Sequence, residues 1–269
     1  MLGLLMKLAE RSPAIRRFLW LRWYQYLAGY DEREWHFMNY GYQTAVAEDE
    51  PRKLQPADEP NRYSIQLYDR VAGAVDLRGK ALLEVGSGRG GGSSFVHRYH
   101  HPTQTTGLDF SAKAVKFCRA RHHYAGLEFA HGDAEHMPFA DDSFDAVLNV
   151  ESSHCYGSMP RFVAEVARVL RPEGHFLFAD FRTPAMAEQL RQLFAESNLE
   201  IVERETITDN VLRALSLDSE RKLSLLEKAA PKRMLGTLRR FAAIEGSDVY
   251  ESFANGTFVY ERYALRKGA

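Results

Sequence analysis

A chain of 269 residues with 45% hydrophobic side chains has material for one large core, or for a domain and a small cap. Its 35 basic and 36 acidic residues leave a formal net charge of -1, which excludes a nucleic acid held by bulk charge. Two cysteines, Cys118 and Cys155, build no disulfide framework and match no zinc spacing, so a reducing cytoplasm is expected and no metal is.

The opening MLGLLMKLAERSP is interrupted by Lys7, Glu10 and Arg11, too short and too broken for a membrane span or a secretory core. Residues 1 to about 70 read as helical and aromatic, with Trp20, Trp23, Tyr24, Tyr26, Trp35, Phe37, Tyr40 and Tyr42 crowded before the polar, proline-punctuated EDEPRKLQPADEPNR. A cap or lid is expected there. Its stretch 13–28 is apolar on too many sides for a simple surface helix, and packing on the rest of the chain is the first reading. The second sets Lys7, Arg11, Arg16, Arg17 and Arg22 against Glu10 alone, a cationic aromatic stretch suited to peripheral contact with an anionic membrane or a lipid.

From Lys80 onward, short β-rich runs alternate with helical patterns, the signature of a parallel sheet covered on both faces. Strands are expected at Ala81–Val85, Thr105–Leu108, Leu127–His131, Phe144–Val150 and His175–Asp180. Helices are expected from Ser93, from Ser111 to Tyr124, and over 160–170, where Phe162, Val163, Val166, Val169 and Leu170 recur at helical spacing before Pro172 and Gly174. After a helix at about 185–198 come a strand-like LEIVERETI, a helical insertion from Asp209 to about Ser247, and TFVYERYALR, a β-rich end that enters the sheet antiparallel.

The glycine-rich LLEVGSGRGGG fits two patterns. Gly86, Gly88 and Gly91 satisfy the dinucleotide fingerprint, and Gly86, Gly88 and Gly90 satisfy the E/D-x-G-x-G-x-G of adenosylmethionine-binding enzymes. Either makes a tight strand-to-helix turn with backbone N–H groups toward an anionic ligand group. Asp109 in TGLDFS suits ribose hydroxyls in both cases. Glu84, two residues before the first glycine, favours a cationic amino-acid ligand over a diphosphate, and a Gly132-Asp133-Ala134 turn suits an adenine edge.

Spread in order over some hundred residues, LLEVGSGRGG, GLDFS, GDAEHMPFADDSFDAVLNVES and EVARVLRPEGHFLFADF resemble the motifs of class I S-adenosylmethionine-dependent methyltransferases. DEPNR, LEVGSGRGGG, NVESSHCY and RFVAEVARVLRP resemble more narrowly the O-methyltransferases of phthiotriol dimycocerosates and related lipids and polyketides. The resemblance implies an α/β fold: a Rossmann-like seven-stranded sheet of five parallel strands plus a final antiparallel pair. A helical cap (1–70) would precede a methyltransferase domain (71–269) with a helical insertion at about 208–247. It implies that Glu84 and the loop Gly86, Ser87, Gly88 and Gly90 bind the methionine end of S-adenosyl-L-methionine. Asp109 would take the ribose, Phe110 would lie against the adenine, and Asp133 and Ala134 would read its edge. Asn149 or Val150 would line the sulfonium region, Tyr42 would reach in from the cap, and Trp35, Tyr40 and Tyr156 would face the acceptor.

Methyl transfer from a sulfonium is an in-line displacement that needs alignment and a deprotonated nucleophile. His154, just beyond the fourth strand, is the candidate base; Glu151 is its rival, able to orient the histidine or to act itself. The adjacent pairs His100-His101 and His122-His123 read as solvated surface, Asp141-Asp142 as a turn, and Cys155 as a small buried residue whose side chain does not meet that of His154. The expected function is O-methylation, by a soluble enzyme, of a hydroxyl on a largely apolar lipid or polyketide-like molecule, yielding S-adenosyl-L-homocysteine. The alternatives are N-, C- or carboxyl-methylation of a small metabolite, or rearrangement or cyclisation without methyl transfer.

Overall fold

The computed structural model describes residues 35–45, 52–229 and 234–269. The readings of residues 1–34, including the stretch 13–28 and its basic neighbours, lie outside the described residues. In chain order the elements are α1 (Arg62–Ala72), β1 (Ala81–Val85), α2 (Gly91–His100), β2 (Gln104–Asp109), α3 (Ala112–Arg121), β3 (Leu127–His131) and β4 (Phe144–Val150). There follow a 3-10 turn (Ser153–Cys155), α4 (Met159–Val169), β5 (Leu170–Arg182), α5 (Pro184–Ala195), β6 (Leu199–Thr206), α6 (Thr208–Ala229), α7 (Leu235–Phe241), α8 (Asp248–Ala254) and β7 (Val259–Lys267).

The strands form one sheet in the order β3-β2-β1-β4-β5-β7-β6. The first five are parallel, and β7 enters between β5 and β6, antiparallel to both. Alternation along the strands sends neighbouring side chains to opposite faces. Leu82, Ala146, Leu148, Leu177 and Ala179 pack under Ile65 of α1, Phe95 of α2 and Val211 of α6. Leu83, Val85, Val147, Phe176 and Phe178 pack against Phe162 and Val166 of α4 and Phe194 of α5. Helix α4 shows how the chain encodes this layer. Ser158 caps its first turn by accepting from the Arg161 N–H, Pro160 occupies a position that needs no donor, and the buried Phe162, Val163, Val166 and Val169 form one stripe. Truncating Phe162 to alanine removes a fully buried ring, at a cost of about 3–5 kcal/mol.

Two expectations are corrected. Strand β5 begins at Leu170 rather than His175, because Leu170 pairs with Phe144 before the register shifts and resumes at Ala146 and His175; Glu173, at φ 65°, sits in that irregularity. Of the described part of the cap, 62–70 lies in α1, whereas 35–45 is not helical. Its polar groups bond to other segments instead: Tyr42 N–H to the Tyr63 carbonyl (2.9 Å), Gln43 N–H to that of Asn210 (3.1 Å) and Asn39 Nδ2 to that of Ser64 (3.1 Å). Among the described residues no helix is long and apolar enough to cross a membrane.

Candidate active site

Between β1 and α2 the chain turns through Gly86, Gly88 and Gly90 at φ 79°, 52° and 78°, all left-handed. A β-carbon on Gly86 would run into the Ser152 side chain and lie 3.0 Å from the Tyr156 hydroxyl, and one on Gly88 would meet Met38 Cε at 2.8 Å. The loop is therefore roofed by the cap and by the chain beyond β4. Its N–H groups are largely spent on its own anchorage. Gly86 and Ser87 donate to the Leu108 carbonyl (2.8 and 3.0 Å), Gly88 to Asp109 Oδ2 (2.8 Å) and Gly90 to the Ser87 carbonyl (2.8 Å).

Glu84 shares the Leu82 face of β1 and so points toward α1 and α2. It is 1% exposed and accepts from the Tyr68 hydroxyl (2.7 Å) and from Ser93 Oγ, and burial lifts its pKa to about 7. Each of its oxygens thus already holds a donor beneath the loop.

The ends of β2 and β3 lie side by side, Asp109 in register with His131. Asp109 accepts from the Ser111 N–H and the Gly88 N–H, 2.8 Å each, yet burial raises its pKa to about 6. Phe110 is 40% exposed beside the His131 ring, and Asp133 turns the chain at the end of β3, accepting from the Glu135 N–H (3.0 Å), with Ala134 buried next to it. These four expected residues are brought together.

At the end of β4, Asn149 Nδ2 donates to the Val85 carbonyl (2.8 Å) and stands 2.8 Å from Ser152 Oγ and 3.0 Å from the Tyr156 hydroxyl. Val150 is buried in the core layer under α1, α2 and α6. The next residue, Glu151, has φ 47°, a backbone conformation that costs energy for a non-glycine residue. That turn carries the 3-10 segment over the glycine loop and presents His154 to the end of β5. There His154 Nδ1 lies 2.8 Å from Asp180 Oδ1, and its backbone N–H donates to Oδ2 at 2.9 Å. Asp180 also accepts from Ser153 Oγ (2.5 Å) and the Phe181 N–H (2.9 Å), with the Arg182 guanidinium 3.4 Å away, and the surrounding positive charge holds its carboxyl far below the usual range.

Burial disfavours the charged His154 ring, but Cys155 and Asp180 outweigh it and raise its pKa well above 6.5. Two expectations change here. Asp180, not Glu151, orients the histidine; Glu151 instead accepts from the Tyr40 N–H (2.8 Å) and the Tyr260 hydroxyl (3.0 Å), and burial lifts its pKa to about 7. The Cys155 side chain does reach His154, because the tight turn brings the neighbours together.

The cap residues take separate places. Tyr40 packs on Phe181 and Phe253, while Tyr42 is buried in the core layer of α1 and α2. The Trp35 carbonyl accepts from Arg89 Nε of the glycine loop, and the Arg89 guanidinium stacks 3.9 Å from the Phe117 ring centre. The histidine pairs are only half surface: His100 Nε2 meets Asp69 (2.8 Å) and His122 Nε2 the Arg89 carbonyl (2.9 Å), while His101 and His123 are exposed. Asp141 and Asp142 pair with Arg168 (2.8 Å) and Lys267 (2.7 Å).

Two buried polar atoms without a partner among the described residues, Ser87 Oγ in the loop and Asn149 Oδ1 at the end of β4, flank this centre. With the glycine cradle, the acid ending β2 and the turn after β3, they fit a ligand carrying an amino-acid end and a nucleoside end.

A family profile described as "Methyltransferase domain" matches residues 83–178. The chain is 39% identical to the phthiotriol/phenolphthiotriol dimycocerosates methyltransferase of Mycobacterium leprae, over 95% of this chain and 94% of that protein. It is 40% identical to the fatty-acid O-methyltransferase of Mycolicibacterium smegmatis, over 87% of this chain and 84% of that protein. In fold it is similar to the [4+2]-cyclase SpnF (TM-score 0.66, 22% identity, 86% and 88% of the two chains). It is similar too to a geranyl diphosphate C-methyltransferase from Streptomyces coelicolor A3(2) solved with S-adenosyl-L-homocysteine (TM-score 0.62, 16% identity, 91% and 97%). By its identity over nearly its full length, the chain belongs to the family of the phthiotriol/phenolphthiotriol dimycocerosates methyltransferases, and it is an S-adenosyl-L-methionine-dependent methyltransferase.

Proposed function

We propose that the chain methylates an oxygen of a long-chain apolar lipid, with His154 and Asp180 handling the proton or charge of the acceptor. The observation that carries this reading is the His154–Asp180 pair, the ring partly exposed on a buried carboxylate, set at the carboxyl ends of β4 and β5 beside the glycine loop, where open α/β sheets bind ligands. The relatives' printed names, a dimycocerosates methyltransferase and a fatty-acid O-methyltransferase, support a lipid acceptor.

S-adenosyl-L-methionine, when bound, supplies an electrophilic methyl group on sulfur. The glycine loop, Ser87 and Asn149 hold its amino-acid end, Asp109 its ribose, and Phe110, Asp133 and Ala134 its adenine. Glu84 works from below, fixing Tyr68 and Ser93 under the loop. Segment 35–42 acts as a lid, pinned to the loop by Arg89 and to the end of β4 by Glu151. Closing that lid keeps water from the reacting groups.

An alcohol must lose its proton as it attacks carbon, and neutral His154 accepts it at Nε2 while Asp180 holds Nδ1–H. Because Asp180 and Cys155 favour the charged ring, the neutral base is populated only as pH rises through a pKa above 6.5. The same charge supports a second reading: an imidazolium attracts a carboxylate acceptor, which needs no base. The test is kcat/KM against pH with hexadecanol and with palmitate. For hexadecanol the rate rises with pH, and His154→Ala lowers kcat by about 10²–10⁴-fold. For palmitate it falls as the ring loses its proton, and the substitution acts on KM. Methylation of neither acceptor would overturn the lipid reading.

A further inference from the structure

Strand β5 ends in Asp180, Phe181 and Arg182, and alternation sends Asp180 and Arg182 to the face that carries Phe178, toward α4. Arg182 is held there. It is 6% exposed, its guanidinium lies over the Phe178 ring (5.9 Å to the centre), and Nη2 is 3.6 Å from Met159 Sδ. Nη1 donates to the Phe181 carbonyl (3.0 Å) and stands 3.4 Å from Asp180 Oδ2. Nη2 donates to Ser153 Oγ (2.7 Å), whose own proton goes to the same Oδ2 (2.5 Å). The other oxygen, Oδ1, faces His154 Nδ1 at 2.8 Å. Among the described residues, His154 and Arg182 are the ion partners of this carboxylate, one at each oxygen.

A buried carboxylate that faced the ring alone would be left as an unpaired buried charge whenever the ring was neutral. That cost would keep the ring protonated, and a protonated imidazole takes no proton from an alcohol. With Arg182 in place, guanidinium and carboxylate cancel, and the neutral ring completes an uncharged group. The other groups that face the pair bring no positive charge: Glu151 and Cys155 of the turn after β4, Tyr40 of the strap and Tyr260 of β7. Lys222 of α6 is engaged with the Tyr40 carbonyl and Asp218.

We infer that Arg182 is a positioning residue for methyl transfer: by holding Oδ2 of Asp180 it counterbalances the carboxylate and lets His154 stand neutral, ready for the acceptor's proton. The inference rests on the reading of His154 and Asp180 above and deepens it, naming what sets the protonation of that site.

The test is NMR of the full chain saturated with S-adenosyl-L-homocysteine and labelled in histidine and arginine, with the His154 ring assigned by its loss in His154→Gln. Because burial lifts the Glu151 pKa to about 7, the ring itself is read and not the rate alone. Arg182→Gln raises the midpoint at which the ring loses its proton by about one to two pH units, the effect of one charge across a carboxylate at an effective dielectric near 20. Arg182→Lys keeps the charge and stays nearer the unaltered chain. The rising limb of kcat/KM for hexadecanol moves with the ring, so at a pH below both midpoints the rate falls about ten- to hundredfold. In the unaltered chain the Arg182 guanidinium nitrogens shift with the midpoint of the ring, a reading that needs no variant. The inference is overturned by an unmoved ring in Arg182→Gln, by Arg182→Lys moving it as far as Arg182→Gln does, or by guanidinium signals blind to the ring's proton. Failure of the underlying reading looks different: the ring midpoint moves as stated while the kcat/KM profile stays where it was.

Discussion

Replacing Asp180 by asparagine removes one negative charge at the point where Ser153 Oγ, the His154 N–H, His154 Nδ1 and the Phe181 N–H all converge. Shape is kept and the pair is broken. The partly buried ring and the fully buried carboxylate are 2.8 Å apart at closest approach, so their attraction is that of charges about 4 Å apart at an effective dielectric near 20, about 4 kcal/mol at most. Part is recovered, because the ring sheds its proton and asparagine retains an acceptor; the expected destabilisation is about 2–4 kcal/mol. Its pH dependence is the sharper signature. The raised His154 pKa adds stability that is full below the unfolded value of about 6.5 and lost as pH rises through the folded value. The lowered Asp180 pKa adds stability present above about 4 and lost as pH falls through the folded value. Urea unfolding of both proteins should therefore show the largest difference near pH 6 (about 4 to 6.5 bounds the window) and a smaller one in alkaline buffer. A difference below about 1 kcal/mol, or one that does not change with pH, would refute a charged pair.

Asp109→Ala should weaken S-adenosyl-L-homocysteine by about 1.5–3 kcal/mol in calorimetry, since it removes a charge-assisted partner and frees the Gly88 N–H; unchanged affinity would contradict the ribose assignment. Glu84 has its pKa raised from 4.5 to about 7 by burial, so the folded chain holds that proton more tightly than the unfolded one and stability falls as pH rises through this window. The loss is about 3 kcal/mol, and Glu84→Gln should flatten that slope in thermal unfolding; an unchanged slope would remove Glu84 as its source. Limited proteolysis should cut the first fifty residues more slowly when S-adenosyl-L-homocysteine is present, because Arg89 and Glu151 tie segment 35–42 to the loop and to β4; equal cutting would argue against a lid.

Local pattern explains why much of this was legible. Ala81–Val85, Leu127–His131 and Phe144–Val150 are runs whose apolar and β-branched residues admit one reading, and the strands keep those bounds. Asp109 was visible because the glycine loop sets the distance to the acid that ends the next strand. Asp180 was not, although FADF also ends a strand in an acid: its contact with His154 spans 26 residues and depends on Val150 pairing with Ala179. The links from Tyr40 to Glu151 and Lys222 span 111 and 182 residues, beyond any local motif. The aromatic crowding at 35–42 suggested helix, but the same rings serve an irregular strap whose hydrogen bonds go to α1 and α6.

The central claim is tested most directly by locating the methyl group. The full chain is incubated with isotope-labelled S-adenosyl-L-methionine and long-chain alcohols, hydroxylated chains and fatty acids, and the products are identified by mass spectrometry and carbon NMR. One labelled methyl per acceptor, bonded to oxygen and matched by an equal amount of S-adenosyl-L-homocysteine, is the predicted result. Label on carbon or nitrogen, or no labelled lipid at all from a chain that binds S-adenosyl-L-homocysteine, would contradict it.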